Sequence, residues 1–349
     1  MRWMVYGAYG YTGRLVAELA VTRGERPVLA GRDPARLVAL AARLGLEHRV
    51  FDLGDRQAVA AALTGVDAVA HCAGPFSATA AAMVDACLAA GAHYLDVTGE
   101  IDVLEAVLAR HDEAVAAAVA LLPGSGFDVV PSDCLAALLA GTLPGAVRLD
   151  LAIRMGGGFS PGTAKTAVES LGAPSRSRVA GRITATPADR RRRRAAFADG
   201  EAEVVAVSWG DVASAYHSTG IGDITVYAAL PGGAGPAGAV LPLVGTAVGA
   251  SPGLQRLLTR LAGRLPGPSR RARRRSRGQV WGEAADATGR TVTATVTTPN
   301  GYSLTADSVV RIVQRLAAGA VAPGAHTPSQ ALGPQFVAEL DGVVVRPPS

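Results

Sequence analysis

The stretch Arg2-Trp3-Met4-Val5-Tyr6-Gly7-Ala8-Tyr9-Gly10-Tyr11-Thr12-Gly13 decides the fold class of this chain. Its first five residues form a compact apolar run, which is typical of a buried strand, and three glycines follow at once. Residues 14–20 then have the apolar spacing of a helix. Glycines let the backbone approach a phosphate closely, and the N–H groups and dipole of a helix start attract the anion. The stretch therefore predicts a strand, a phosphate-binding turn and a helix.

The second strand predicts which nucleotide this turn would hold. The glycine spacing is G-x-x-G-x-x-G, which alone could equally be a turn that only lets a helix pack closely on a strand. However, the apolar run at 27–30 ends in Gly31-Arg32-Asp33, with Arg32 19 residues after Gly13. An acidic residue at this place would bind the ribose hydroxyls of NAD, whereas arginine suits the 2′-phosphate of NADP. We therefore predict NADPH/NADP+ as the cofactor.

Further strands alternate with helices up to residue 122, and their carboxyl ends supply the other candidate cofactor contacts. This alternation predicts a parallel, doubly wound α/β sheet with right-handed crossovers. Asp52 ends the third strand, either as an acceptor for the adenine amino group or as a turn-starting residue. Glu100 either touches substrate or caps a helix near Asp102, and His71 with Cys72 is interpreted as packing. The predicted cofactor-binding residues are Gly7, Tyr9, Gly10, Tyr11, Thr12, Gly13, Gly31, Arg32, Asp52, Leu53, Cys72, Ala73, Gly74, Pro75, Phe76, Thr98 and Gly99.

The pattern changes after residue 122. The Gly- and Pro-rich run 123–133 predicts a hinge, with Ser132 capping a helix from Asp133. Residues 148–154 alternate with period two, which indicates a sheet with one wet face. Later strands and helices, including one from Thr305 to Ala318, predict a mixed α/β second domain that binds substrate.

Composition limits the class of protein. A chain of 349 residues with 49% hydrophobic and 18% charged residues can bury a full core. Its three cysteines lack metal-ligand spacing, so neither a disulfide framework nor a metal site is expected. Because the glycine turn arrives by residue seven, we expect no signal peptide. The apolar stretch Val240–Ala250 is too short to span a bilayer. We therefore expect a cytoplasmic enzyme with no integral membrane segment.

The net charge of +5 is unevenly distributed. Arg190–Arg194 is a run of five arginines, and Arg270–Arg277 holds six more, both in loop-like context. Neither run has interleaved aromatics, so solvated surface charge is favoured over nucleic-acid binding. An anionic partner, such as a carrier protein or a coenzyme A phosphate, is a third alternative. Lys165 is the single lysine among 34 basic residues, which can mark a place where an amine must lose its proton.

Several motifs resemble those of bacterial saccharopine-dehydrogenase-like reductases, including the trans-acting enoyl reductases. Beyond the glycine turn and Gly31-Arg32, the matching stretches are 72–76, 94–100, 124–133, 160–163, 209–213, 218–220, 302–305 and 327–328. The resemblance implies an NADP-binding Rossmann domain at 1–130, an inserted mixed α/β substrate and dimerisation domain at 131–318, and a C-terminal segment at 319–349 that returns to the first domain. It does not establish the reaction or its catalytic residues.

We hypothesise NADPH-dependent reduction of a polarised double bond, above all an enoyl C=C of an acyl or polyketide-like substrate, free or carrier-bound. The developing enolate needs a hydrogen-bond donor, and the candidates are Lys165, Tyr216 and Tyr302. One alternative is an imine reductase or amine dehydrogenase, which predicts an arginine for a substrate carboxylate, such as Arg154. The others are a non-catalytic NADP-binding module and, more remotely, a nucleic-acid binder. We also expect a homodimer.

Overall fold

The computed structural model describes residues 1–169, 174–229, 251–263 and 265–348. They form two compact units, which are described separately. The first unit comprises Met1–Cys134 and Tyr302–Asp341, and the second comprises Leu135–Gly301 and Gly342–Ser349. The predicted stretch Val240–Ala250 lies outside the described residues.

The first unit is built on a seven-stranded parallel sheet in the order β15-β6-β5-β4-β1-β2-β3. The order reverses between β1 and β4, which is the switch point of a doubly wound fold. This confirms the predicted Rossmann-type class. The elements are β1 (Trp3–Tyr6), α1 (Tyr11–Thr22), β2 (Val28–Gly31), α2 (Pro34–Leu44), β3 (His48–Val50), α3 (Arg56–Leu63), β4 (Ala68–His71), α4 (Phe76–Ala90), β5 (His93–Asp96), α5 (Ile101–Leu108), α6 (His111–Ala116), β6 (Ala120–Leu122) and α7 (Val130–Thr142), with α12 (Gly301–Ala317), β15 (Gly324–Ala325) and α13 (Pro328–Leu332) returning later in the chain.

Local sequence signals explain where several of these helices begin. The Asp33 carboxylate accepts a hydrogen bond from the Arg36 amide at 3.1 Å, and Pro34 occupies the first helical position of α2. The predicted cap at Ser132 is wrong, because α7 already begins at Val130 and the Ser132 hydroxyl donates to the Val129 carbonyl. Helices α5 and α6 are separate, and the chain between them turns at Arg110.

The second unit contains a mixed sheet in which β12 and β7 are parallel and the other pairs are antiparallel. Its elements are β7 (Ala146–Met155), α8 (Pro161–Glu169), β8 (Arg176–Val179), β9 (Arg182–Ala185), β10 (Arg192–Phe197), β11 (Gly200–Ala206), α9 (Asp211–Thr219), β12 (Asp223–Ala229), α10 (Pro252–Ala262), α11 (Arg270–Arg275), β13 (Arg277–Asp286), β14 (Thr291–Pro299) and β16 (Val344–Arg346). None of the helices within the described ranges has the length and apolarity needed to cross a membrane.

The loop-like context expected for both arginine runs is wrong. The second run forms helix α11 and the start of β13, and the first run enters strand β10. Arg193 contacts the Asp150 carboxylate at 2.6 Å and the Glu283 carboxylate at 3.2 Å, and its guanidinium lies 4.5 Å from the Trp281 ring centre. Arg190 pairs with Asp223 at 2.9 Å. The side chains of alternate residues in a strand point to the same face of the sheet. Part of this arginine run therefore forms ion pairs within the second unit.

The C-terminal third of the chain divides between the two units. Helix α12 and strand β15 belong to the first unit, with β15 parallel to β6, whereas β16 pairs with β14 of the second. The chain thus re-enters the first unit at Tyr302, earlier than the predicted boundary at 319, because the apolar face of α12 is buried there.

Candidate functional site

The glycine turn after β1 is as tight as its sequence suggests. Gly7 has a φ of +80°, and a methyl group there would lie 2.9 Å from the Ala73 amide nitrogen. A methyl group on Gly13 would lie 2.4 Å from the Gly7 carbonyl oxygen. Helix α1 begins after Gly10 with no side-chain cap and no acidic residue in its first turn. Its first amides and positive dipole end are therefore not occupied by a side chain, which suits a pyrophosphate.

An aromatic ring and two arginines surround the end of β2. A methyl group on Gly31 would come within 2.6 Å of the Tyr9 ring, so glycine is needed for this packing. The Tyr9 hydroxyl accepts a hydrogen bond from the Asp33 amide at 3.2 Å. The Arg36 guanidinium lies 4.6 Å from the centre of the Tyr9 ring and donates to the Tyr9 carbonyl. Arg32 is exposed beside them, so this end of the sheet offers two cations where a 2′-phosphate would lie.

The structure shows one of the two roles predicted for Asp52, that of a turn-starting residue. One carboxylate oxygen of Asp52 accepts a hydrogen bond from the Gly54 amide at 2.9 Å, which is the turn-starting role. The residue is exposed, and Leu53 beside it is half-buried. A contact between Asp52 and adenine stays a prediction.

The loop 72–76 after β4 is fixed by a buried histidine. The His71 ring is fully buried, and its Nε2 lies 3.0 Å from the Thr79 hydroxyl. Thr79 donates its single hydroxyl proton to the carbonyl of Ala73 or Pro75. Nε2 of His71 is therefore the protonated ring nitrogen. Its Nδ1 has no hydrogen-bond partner among the described residues.

Burial makes this histidine a neutral structural group. Desolvation lowers the pKa of His71 from 6.5 to about 3. Its ring packs edge-on against Phe76 at 5.3 Å between centres. Desolvation likewise raises the pKa of the neighbouring Cys72 thiol to about 12, so it stays protonated near neutral pH. Both observations agree with the interpretation of these two residues as packing residues.

The end of β5 is connected to the loop after β6 through one buried carboxylate. Asp96 accepts hydrogen bonds from the Tyr94 hydroxyl at 2.6 Å and from the amides of Thr98 and Gly124 at 2.9 Å each. Desolvation nevertheless dominates and raises the pKa of Asp96 to about 6. Asp96 therefore fixes the positions of Thr98 and of the loop that begins at Gly124.

Glu100 caps a helix, but a different one from the helix expected. Its two carboxylate oxygens accept hydrogen bonds from the amides of Phe76 and Ser77, at 2.9 and 2.8 Å. These amides belong to the first turn of α4, not to α5, whose start follows Glu100 in sequence. The negative charge of Glu100 lies at the positive end of the α4 dipole. Glu100 therefore stabilises the start of α4, where the predicted cofactor loop 72–76 ends.

A second carboxylate, Asp128, lies at the same edge of the sheet. Its side chain packs against Gly99, where an added methyl group would lie 3.1 Å from the Asp128 Cβ. Asp128 is half-buried, and desolvation raises the pKa of its carboxyl to about 6. Carboxyl groups with a pKa near neutrality are suited to moving protons. Asp128 was not among the sequence-predicted site residues, although its motif, 124–133, was noted as a hinge.

Helix α12 brings Tyr302 to this edge and holds the loop that carries Asp128. The Tyr302 ring meets Tyr11 of the glycine turn edge-on, with 4.9 Å between the ring centres. One turn further along the helix, the Thr305 hydroxyl accepts a hydrogen bond from the Phe127 amide at 2.9 Å. The Ser308 hydroxyl donates to the Ser125 carbonyl at the same distance. Three separate sequence motifs, 7–13, 124–133 and 302–305, are therefore in contact within the first unit.

The other two catalytic candidates belong to the second unit. Lys165 is exposed on α8 and lies against Gly263 at the end of α10. Tyr216 lies on helix α9 and not at a strand end, and the Arg178 guanidinium lies 4.0 Å from its ring centre. Of the three predicted donors, the structure therefore brings Tyr302 to the predicted nucleotide turn within one unit.

This fold and this turn define a Rossmann-type dinucleotide-binding domain. Residues 3–122 match the family described as the saccharopine dehydrogenase NADP binding domain. The first domain of the chain is therefore similar to that family, whose description agrees with the predicted NADP cofactor. The bare amides at the start of α1 and the arginines near Gly31 fit such a nucleotide.

Two relatives with similar sequences are named as trans-acting enoyl reductases. A candidate trans-acting enoyl reductase of Mycobacterium tuberculosis H37Rv is 31% identical over 198 residues, which cover 53% of this chain and 47% of the relative. A trans-acting enoyl reductase of Mycobacterium leprae is 33% identical over 138 residues, covering 37% of this chain and 33% of the relative. The chain thus spans about half, or less, of the length of these relatives.

Solved structures support the fold of both units. Apo saccharopine dehydrogenase (L-Glu forming) from Saccharomyces cerevisiae matches with a TM-score of 0.63 over 99% of this chain and 98% of that chain, at 12% identity. The homospermidine synthase of Legionella pneumophila, in complex with NAD, matches with a TM-score of 0.62 over 99% and 91%, also at 12% identity. At such low identity the likeness establishes the fold and not the reaction.

Proposed function

We propose that this protein is an NADPH-dependent reductase of a polarised C=C bond in an acyl substrate. The observation that supports this proposal most directly is a contact among three segments of the first unit. They are the glycine turn, the loop of Asp128 and the first turn of α12 at Tyr302. The names of the mycobacterial relatives favour an enoyl substrate over other polarised double bonds. A carrier-bound substrate, a homodimer and a cytoplasmic location are further parts of this proposal.

The chain's own residues divide the work of such a reaction. When bound, NADPH would supply a hydride, that is, a proton with two electrons, to the β-carbon of the enoyl group. The turn 7–13 and Arg32 would hold the nucleotide by its phosphates, together with the loop 72–76, Thr98 and Gly99. The Tyr302 hydroxyl would donate a hydrogen bond to the developing enolate oxygen.

Asp128 is the group that we assign to proton transfer. The α-carbon of the substrate needs one proton to balance the hydride that the β-carbon receives. The Asp128 carboxyl would give this proton and regain one from water. Because the pKa of Asp128 is raised to about 6, its protonated fraction falls as the pH rises through that value.

The imine-reductase alternative has less support from the residues. It predicted that Arg154 would bind a substrate carboxylate, but Arg154 is paired with Asp199, and its guanidinium lies 4.5 Å from the centre of the Phe197 ring. Lys165 and Tyr216 stay candidate donors from the sequence, and a non-catalytic NADP-binding module stays the main alternative outside enzymes.

The test is NADPH oxidation by the purified chain with a straight-chain enoyl thioester and with a cyclic imine as probes. We expect turnover with the thioester, and kcat/KM should fall above about pH 6 in the wild type. Asp128→Asn should lower kcat by on the order of 100-fold and abolish this pH dependence. Tyr302→Phe should also lower kcat, by on the order of tenfold or more.

Matched variants separate a catalytic role from a structural one. Lys165→Met and Tyr216→Phe should keep the wild-type kcat if the assignment to Tyr302 is right. NADPH affinity should stay within about twofold of wild type in Asp128→Asn, since Asp128 is assigned to the substrate. Turnover of the imine alone would contradict the enoyl assignment, and NADPH binding without turnover of either probe would favour the non-catalytic module.

A further inference from the structure

The surplus positive charge of the chain is confined to one part of its sequence. No acidic residue occurs between Asp223 and Glu283, whereas nine arginines do. The other 290 residues carry 25 basic and 29 acidic side chains, so they are net negative while the whole chain is +5. Helices α10 and α11 lie in this segment. The segment that contains both helices is therefore cationic, in a chain that is otherwise mildly acidic.

Helix α10 also exposes a stripe of leucines. Leu254, Leu257 and Leu261 are 40%, 51% and 49% exposed, and Leu265 just beyond the helix is 46% exposed. The first three leucines are three and four residues apart, which places them on one face of α10, and Leu265 continues this spacing after the helix. The face next to this stripe is the one that packs within the unit: Gln255 donates to the Val168 carbonyl of α8 at 3.3 Å, and Ala262 is buried.

The arginines of α11 differ from those of the first run. Arg270, Arg271, Arg274 and Arg275 are exposed, and within the described ranges their guanidinium groups have neither an acidic partner nor a hydrogen bond. Arg193, in contrast, contacts two carboxylates in the sheet. Ion pairs within the described residues therefore do not neutralise the charges of these four arginines, and these charges are available to an external anion.

We propose that α10 and α11 bind the surface of a membrane that contains anionic phospholipids. The leucine stripe of α10 would enter the boundary of the acyl chains, and the arginines would contact lipid phosphates. An exposed leucine ridge on a helix fits a fluid lipid surface, which adapts to it, whereas a protein partner would need a matching groove. The helix would lie along the surface, and this binding does not depend on the proposed reductase activity.

The test uses sedimentation of the full chain with vesicles. We expect binding to vesicles of phosphatidylcholine and phosphatidylglycerol in equal parts, much weaker binding to phosphatidylcholine alone, and loss of binding at high salt. The double variant Leu257→Ser, Leu261→Ser should bind anionic vesicles on the order of tenfold more weakly. The double variant Arg274→Gln, Arg275→Gln should show a loss of similar size.

Each variant has a matched control elsewhere on the surface. Val38→Ser with Val115→Ser changes two residues that are 48% and 49% exposed on α2 and α6, and it should bind like the wild type. Arg56→Gln with Arg182→Gln removes two exposed arginines outside the segment and should have little effect.

Three results would overturn the proposal. One is equal binding, or no binding, to the neutral and the anionic vesicles. Another is binding of soluble polyglutamate without binding of vesicles, which would indicate an acidic protein as the partner. The last is a dimer that Leu257→Ser, Leu261→Ser dissociates in the absence of lipid, which would assign the leucine stripe to a second copy of this chain.

Discussion

Adding one methyl group at Gly13 should displace the start of helix α1 and weaken NADPH binding. The methyl carbon would lie 2.4 Å from the Gly7 carbonyl oxygen, whereas ordinary contacts begin near 3.4 Å. That oxygen cannot easily move away, because it accepts a hydrogen bond from the Gly10 amide at 2.9 Å and Gly7 itself abuts Ala73. The helix must therefore shift by about 1 Å, which is a large displacement for amides that hold a phosphate.

From this shift we expect two effects of Gly13→Ala. Overpacking should lower the free energy of unfolding by about 1–3 kcal/mol. Misplacement of the phosphate-binding amides by about 1 Å should weaken NADPH binding by on the order of 10- to 100-fold. NADPH fluorescence titration measures the second effect, and urea unfolding followed by circular dichroism measures the first.

Two further glycine variants make this prediction refutable. Gly141→Ala, at an exposed position near the end of helix α7 with no atom near the added methyl group, should bind NADPH normally and gain up to about 1 kcal/mol in stability. Gly10→Ala, with its methyl group 3.0 Å from the Gly7 oxygen, should weaken binding less than Gly13→Ala. A folded Gly13→Ala protein that binds NADPH as the wild type does would refute the assignment of this turn to the phosphates.

Three other predictions concern the same unit. Arg32→Ala should remove a preference for NADPH over NADH of at least tenfold, on the order of 1.4 kcal/mol, whereas Arg56→Ala should leave that preference intact in fluorescence titrations. Because the pKa of His71 is about 3 when folded and 6.5 when unfolded, the unfolded chain binds more protons between these values, and stability falls as the pH drops through that window. His71→Asn should remove up to about 3 kcal/mol of this pH dependence between pH 7 and pH 4 in urea unfolding, and an unchanged slope would contradict a buried neutral ring. Glu100→Ala should cost about 0.5–2 kcal/mol by uncapping α4, more than Glu339→Ala, which breaks a surface ion pair with Arg315.

Local sequence signals were reliable where neighbouring residues decide the structure. The glycine turn, the helix that Asp33 and Pro34 begin, and most strands of the first sheet follow from apolar runs and caps that act over a few residues. The switch of Arg192–Phe197 from an expected loop to strand β10 could not be read in this way. In that strand, Arg193 pairs with the carboxylates of Asp150 and Glu283, which come from distant parts of the chain.

The candidate site shows the same division. The sequence predicts a set of cofactor contacts because a nucleotide-binding turn is made by adjacent residues in one strand–turn–helix unit. It missed Arg36, which lies beside β2 only because α2 turns back over Tyr9. It also missed Asp128. The pKa of this carboxyl is raised by burial next to Gly99, which no local sequence pattern indicates.

By itself, the sequence determined the Rossmann class of the first domain, and it predicted an NADP cofactor and the position of a phosphate-binding turn. Only the tertiary structure decided that Tyr302, nearly 300 residues after the turn, contacts Tyr11, and that Thr305 holds the loop of Asp128. It also decided that Arg190 and Arg193 of the first arginine run form ion pairs with partly buried carboxylates, whereas most arginines of α11 are exposed. The physical reason is that turns and caps are short-range, whereas desolvation and ion pairing depend on residues that only the folded chain brings together.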